Sequence, residues 1–170
     1  MIYFDPEPLQ NKSLVYNFLV AFSVFEYSLK ELGLASQSGN YLKIKWKSFV
    51  DGISSDFENI ENLPNQLQDA INYLFEHSPR EQFFNGRNIE WKATSQDVTE
   101  TNARWLLRIL KTVRNNLFHG GKYPYDPIRD TDLLQSCLIV LMYWAELKPE
   151  IRDVFEQVKQ SYFVGENAPF

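Results

Sequence analysis

The helical spacing of apolar residues between Thr99 and Gly121 is the feature that most constrains the fold. In this stretch apolar side chains recur every three or four residues, at Leu106, Ile109, Leu110, Val113 and Leu117. That spacing places them on one stripe of an α-helix. Gly120 and Gly121 favour the end of this helix, because glycine adopts the left-handed conformation of a C-terminal cap. The stretch therefore predicts a core helix that ends in a polar run.

The same periodicity recurs along the chain and predicts an all-α bundle of five or six helices. Besides the stretch above, the predicted helices run over about Ser13 to Leu32, Leu42 to Ile60, Pro64 to Glu76, Asp130 to Leu147 and Pro149 to Tyr162. The last but one is apolar almost all round, which is typical of a central helix or of one that also meets a second subunit.

Three segments lack helical spacing. Residues 1 to 12 carry Pro6 and Pro8 and are predicted to be extended, and residues 35 to 41 are predicted to form a polar loop. Residues 78 to 98 contain Asn85-Gly86, a tight-turn signal. We expect an irregular excursion there, with a short hairpin as one option.

The composition fits one soluble domain over residues 1 to 170. Hydrophobic residues make up 44% of the 170 residues, enough to fill one core. No apolar run reaches the roughly 18 residues of a membrane span, and the N-terminus lacks a signal-peptide pattern. Cys137 is the single cysteine, so no internal disulfide is possible. A cytoplasmic protein is therefore expected.

The charge is unevenly distributed along the chain. The net charge is −5, yet residues 101 to 125 contain no Asp or Glu. The cations of this basic strip are Arg104, Arg108, Lys111, Arg114 and Lys122. A local positive strip on an acidic protein predicts a binding site for phosphate or RNA. The alternative is that cations near a helix C-terminus simply interact favourably with the helix dipole.

The run from Arg114 to Lys122 resembles the signature of the HEPN family of small helical proteins. That signature is an Arg, usually a polar residue, three or more further residues, and a His. Here it reads Arg114, Asn115, three residues and His119, followed by the Gly-Gly-Lys that is also typical of the family. The resemblance covers residues 113 to 122 as a motif and most of the chain as a fold. It implies a HEPN-like bundle that forms a homodimer, with the motifs of both subunits facing one cleft.

Many HEPN proteins are metal-independent ribonucleases, so the resemblance implies RNA cleavage through the 2′-hydroxyl. Histidine suits proton transfer near neutral pH, and arginine offers a permanently charged fork that fits a phosphate. We therefore assign Arg114 to the scissile phosphate, His119 to acid–base chemistry and Asn115 to positioning, with Lys122 adding charge at the rim. Neither a cofactor nor a metal is expected. The family also suggests a toxin of a toxin–antitoxin or phage-defence pair, held by a nucleotidyltransferase-like antitoxin.

Alternatives to catalysis stay open. Residues five apart on an ideal helix lie roughly 140° apart around its axis, so Arg114 and His119 would not face each other. Either the helix ends by about Phe118, or a second subunit completes the site. The motif is also compatible with a non-catalytic module for RNA or partner binding and dimerisation. A third option is a motif that serves stability alone, in which Arg114 bonds a loop carbonyl and His119 caps the helix.

Several weaker candidates lie outside the motif. Glu26 is either a polar residue near the site or the partner of Lys30 on the surface. Arg80 and Arg87 are candidates to extend a phosphate-binding surface, whereas Trp91 is interpreted as a packing residue. A solvated face is the simpler interpretation of the remaining basic cluster, which comprises Lys43, Lys45 and Lys47.

Overall fold

A computed structural model describes residues 12–118 and 127–164 of the chain, with side chains over 13–118 and 128–158. In this part the chain forms helices, two β-hairpins and two short 3-10 turns. The helices are α1 (Lys12–Glu31), α2 (Trp46–Gly52), α3 (Asn65–Glu76), α4 (Asn102–Phe118), α5 (Pro127–Glu146) and α6 (Pro149–Val164). The strands are β1 (Ala35–Ser38), β2 (Tyr41–Ile44), β3 (Glu81–Phe84) and β4 (Ile89–Lys92).

The described part of the chain is mostly helical, as predicted, but its two small hairpins depart from the predicted all-α class. The bounds of α1, α3, α5 and α6 lie within about three residues of those that the apolar periodicity predicts. The helix predicted over Thr99 to Gly121 is α4, which begins at Asn102 and is described as far as Phe118. The extended segment predicted for residues 1 to 12 lies almost entirely outside the described residues.

The predictions for residues 35 to 60 were wrong in two places. The expected polar loop and the start of the expected helix form an antiparallel hairpin, in which Ala35 pairs with Ile44 and Ser38 with Tyr41. Gly39 supplies the positive φ of 60° that the two-residue turn requires. The helix that follows, α2, is only seven residues long and ends at Gly52, a weak helix former. Two 3-10 turns, Ser54–Phe57 and Ile60–Asn62, replace the remainder.

The hairpin that Asn85-Gly86 indicates is present between α3 and α4. Strands β3 and β4 pair from Glu81 with Lys92 to Phe84 with Ile89. The side chain of Asn85 stabilises the turn, because its Oδ1 accepts hydrogen bonds from the backbone N–H groups of Arg87 and Asn88. Gly86 again provides a positive φ.

The core is centred on α5, which packs against α1, α3 and α6. Trp144 of α5 is fully buried among aromatic rings. Its ring centroid lies 6.3 Å from that of Phe25 on α1, 5.7 Å from that of Phe49 on α2 and 6.3 Å from that of Phe57. Trp144 therefore joins α1, α2 and the first 3-10 turn in one cluster, on which the apolar stripe of α4 also packs.

Candidate functional site

The candidate site lies on the last two turns of α4. The stripe from Leu106 to Val113 is buried, which directs the polar side of the helix outwards. Arg114 is half-buried at the edge of that stripe, and Asn115 is exposed. His119, Gly120, Gly121 and Lys122 lie outside the described residues, so the predicted approach of His119 to Arg114 stays a prediction.

Arg114 bridges α4 and α1 through its guanidinium group. Its Nη1 donates a hydrogen bond of 3.0 Å to Oδ1 of Asn115, and its Nη2 lies 3.9 Å from Oε2 of Glu26. The guanidinium carbon also lies 4.9 Å from the ring centroid of Phe118 and 5.8 Å from that of Phe22. These contacts orient the planar fork while its side chain keeps 32% of its surface exposed.

The Glu26 contact resolves an ambiguity in the sequence. The structure brings Glu26, which lies on α1, to the arginine of the motif. At 3.9 Å the two groups attract each other without a hydrogen bond, and both are partly exposed to water. Such pairs contribute about 0–1 kcal/mol to stability. The contact therefore positions the guanidinium more than it stabilises the fold. Among the described residues, no loop carbonyl accepts a hydrogen bond from Arg114.

The two arginines at the start of the basic strip each face a carboxylate. Nε of Arg104 lies 2.6 Å from Oδ1 of Asp51, at the end of α2. Nη2 of Arg108 lies 2.8 Å from Oε2 of Glu100 and donates a second hydrogen bond of 2.6 Å to the carbonyl of Ser95. The strip thus carries less net positive charge than residues 101 to 125 alone suggest. Its remaining described lysine, Lys111, is exposed.

An open polar pocket of about 500 Å³ lies beside these two arginines. Its lining comes from the loop before α4 and from the first turns of the helix, and comprises residues 95 to 100 together with Arg104 and Arg108. In this loop the backbone N–H and the hydroxyl of Thr99 both donate to Oδ1 of Asp97. These bonds lower the pKa of the Asp97 carboxyl from its ordinary value. The pocket lies roughly two helical turns from Arg114, since six residues of α-helix span about 9 Å.

The Arg104–Asp51 pair makes a testable pH prediction. The hydrogen bond from Arg104 lowers the pKa of the Asp51 carboxyl below its ordinary value. Because the folded pKa lies below the unfolded one, the stabilisation is complete above the unfolded pKa and is lost as the pH falls through the folded pKa. We expect the NMR titration midpoint of Asp51 to rise towards the ordinary value in Arg104→Gln. Arg152→Gln, a matched substitution on α6, should leave it unchanged. An unchanged Asp51 midpoint in Arg104→Gln would contradict the contact.

The described part of the chain defines a class: a mostly helical protein with two small hairpins and a polar motif on its fourth helix. None of the helices described here is long and apolar enough to cross a membrane. Searches against models of known protein families, curated proteins and solved structures give no match.

Proposed function

We propose that the protein is a metal-independent endoribonuclease of the HEPN type. The observation that carries this proposal is the position of Arg114 and Asn115, side by side at the end of a core helix with the guanidinium partly exposed. His119, the third residue of the motif, follows Phe118 directly in the sequence. The mostly helical fold supports the proposal, because the HEPN family is helical.

Cleavage would use the RNA's own 2′-hydroxyl as the nucleophile. Its oxygen forms a new bond to the adjacent phosphorus while its proton passes to a base, and the bond to the 5′-oxygen breaks as that oxygen takes up a proton. The products are a 2′,3′-cyclic phosphate and a 5′-hydroxyl. Arg114 holds the phosphate and stabilises the charge that develops on it, and His119 transfers protons. Asn115 keeps the guanidinium in place through its hydrogen bond.

Two proton transfers favour a site built from two copies of the motif. One imidazole takes a proton from the 2′-hydroxyl and a second delivers one to the leaving oxygen, as a homodimer with facing motifs would allow. The proposed partners are accordingly RNA and a second copy of this chain. A toxin or phage-defence role in the cytoplasm, with a nucleotidyltransferase-like antitoxin, is part of the same proposal.

A non-catalytic module for RNA or partner binding and dimerisation is the second candidate. One observation favours it: the Arg114 guanidinium already contacts Asn115 and Glu26. A carboxylate beside the arginine weakens its attraction for phosphate. In this case the motif would position α1 against α4 and RNA would bind without being cut.

An RNA incubation in excess chelator separates the two candidates. We expect the purified full chain to cut a labelled single-stranded RNA and to leave 2′,3′-cyclic phosphate ends. The matched control is the same RNA with 2′-deoxyribose throughout, which lacks the nucleophile and should stay intact. Binding of the RNA without cleavage would contradict the nuclease and support the binding module. Cleavage of the deoxyribose control as well as of the RNA would contradict the 2′-hydroxyl mechanism.

A further inference from the structure

The largest excess of unpaired positive charge in the described part of the chain lies on the β1–β2 hairpin and the start of α2 rather than on α4. Residues 32 to 50 contain three lysines and no carboxylate. Lys43, Lys45 and Lys47 are all exposed. Within the described ranges no carboxylate oxygen lies within 4.0 Å of their ammonium groups. Lys47 acts on the Asp51 carboxylate only over a longer distance, and Asp51 is hydrogen-bonded to Arg104.

The hairpin presents one polar face with an aromatic ring. Cross-strand partners share a face of an antiparallel pair, so Tyr41 and Lys43 lie on the same side as Ser38 and Ser36. Ile44, on the other side, packs against the core, which turns the Tyr41 face outwards. Tyr41 is 79% exposed, more than any other tyrosine in the described ranges. An exposed ring beside lysines is the arrangement on which unpaired bases stack.

Two ring contacts link the start of α2 to the arginine of the candidate site. Trp46, which separates Lys45 from Lys47, has its ring centroid 5.5 Å from that of Phe22. The Phe22 ring in turn lies 5.8 Å from the guanidinium carbon of Arg114. The buried Phe22 ring is therefore in contact both with Trp46, at the start of α2, and with the motif's arginine.

We propose that the β1–β2 hairpin and the first turn of α2 bind the single-stranded RNA that flanks the scissile phosphate. Lys43, Lys45 and Lys47 contact phosphates, and Tyr41 stacks on an unpaired base. This inference rests on the proposed function in one respect, namely that the bound strand runs towards Arg114. Binding itself requires no cleavage and is measured separately.

The β3–β4 hairpin is the natural competitor and the matched control. It also carries three cations, Arg80, Arg87 and Lys92, but Glu81 and Glu90 lie among them. Lys92 pairs across the strands with Glu81 and sits 3.4 Å from the ring centroid of Phe83. Replacing its three cations changes the net charge of the protein by the same amount as replacing the three lysines.

The experiment measures RNA affinity as a function of salt. The probe is a fluorescent single-stranded RNA of about 12 nucleotides with 2′-O-methyl riboses, which the protein can bind but not cut. We expect the Lys43→Gln/Lys45→Gln/Lys47→Gln variant to make the negative slope of log K against log salt shallower by about 2, at about 0.7 per lost phosphate contact. Arg80→Gln/Arg87→Gln/Lys92→Gln should change it by less than about 0.7. Tyr41→Ala should weaken binding about tenfold and leave the slope unchanged.

The outcomes separate this inference from the proposed function. The inference is overturned if the two triple variants show equal salt slopes, or if the slope changes more in the β3–β4 variant. It is also overturned if the wild-type protein binds duplex RNA as tightly as the single strand, or binds no RNA. If the salt slope becomes shallower in the lysine variant while the wild-type protein leaves unmodified RNA intact, the proposed nuclease activity is contradicted and the proposed binding surface is supported. If the lysine variant cuts RNA with unchanged kcat/KM and keeps the wild-type salt slope, the nuclease activity is supported and the binding surface is contradicted. Circular dichroism of each variant confirms folding.

Discussion

Arg114→Ala is expected to lower RNA cleavage by at least about 100-fold, because a fixed donor to the charge that develops in the transition state is worth about that much or more. Arg114→Lys should lose most of this activity as well. An ammonium group keeps the charge but lacks the planar fork that bonds two phosphate oxygens at once. Both variants are measured as kcat/KM on a labelled single-stranded RNA in excess chelator.

The control for this prediction is Arg152→Ala. Arg152 lies 3.9 Å from Asp153, the same distance as Arg114 from Glu26, but on the exposed side of α6. Its substitution should leave cleavage unchanged. His119→Ala should be as inactive as Arg114→Ala, and the double variant should be little worse than either, because residues that act as a unit are not additive. A folded Arg114→Ala protein with wild-type activity would contradict the proposed site.

Trp144→Ala is expected to have the largest effect on stability, about 3–5 kcal/mol in the free energy of unfolding. The substitution removes the ring that Phe25, Phe49 and Phe57 surround and leaves a cavity where α1, α2 and α5 meet. Urea denaturation followed by circular dichroism measures the change. A domain of this size has a total stability of about 5–15 kcal/mol, so the variant is expected to be marginally folded.

Trp144→Phe is expected to lower the free energy of unfolding by less than Trp144→Ala does. Among the described residues Nε1 of Trp144 is buried without a hydrogen-bond partner. An unsatisfied buried donor costs about 1–3 kcal/mol, and phenylalanine removes it together with part of the ring. We therefore expect the two contributions largely to offset each other. Trp91→Ala, on the half-buried face of β4, should cost less than about 1 kcal/mol. A cost as small for Trp144→Ala would contradict the packing.

The helices were predictable because each carries its own apolar stripe. Helix α3, for example, buries Leu67, Ala70, Ile71 and Leu74, the residues that the spacing selects. The β1–β2 hairpin was missed for a physical reason. Its first strand, Ala-Ser-Gln-Ser, is polar and is stabilised mainly by pairing with β2. Residues 42 to 47 do alternate apolar side chains with lysines, a signal with a period of two that the longer helical pattern obscured.

The charge state of the site was less predictable than the fold. Asp51, the partner of Arg104, is distant in sequence, so the ion pair depends on the packing of α2 against α4. Glu100, the partner of Arg108, directly precedes the window of residues 101 to 125 over which the basic strip was counted. Local sequence shows which residues are charged. Tertiary structure decides which charges remain available to a ligand.

Cys137 lies fully buried in α5, and it is the chain's single thiol. Sulfhydryl reagents should therefore modify the native protein slowly, because burial denies them access. Tyr41→Cys, at an exposed position, would then take up a spin label selectively, and the native Cys137 would not have to be replaced. In the proposed homodimer, each of the two chains would carry one such label. A single distance between two probes would then report how the two hairpins are disposed across the symmetry axis.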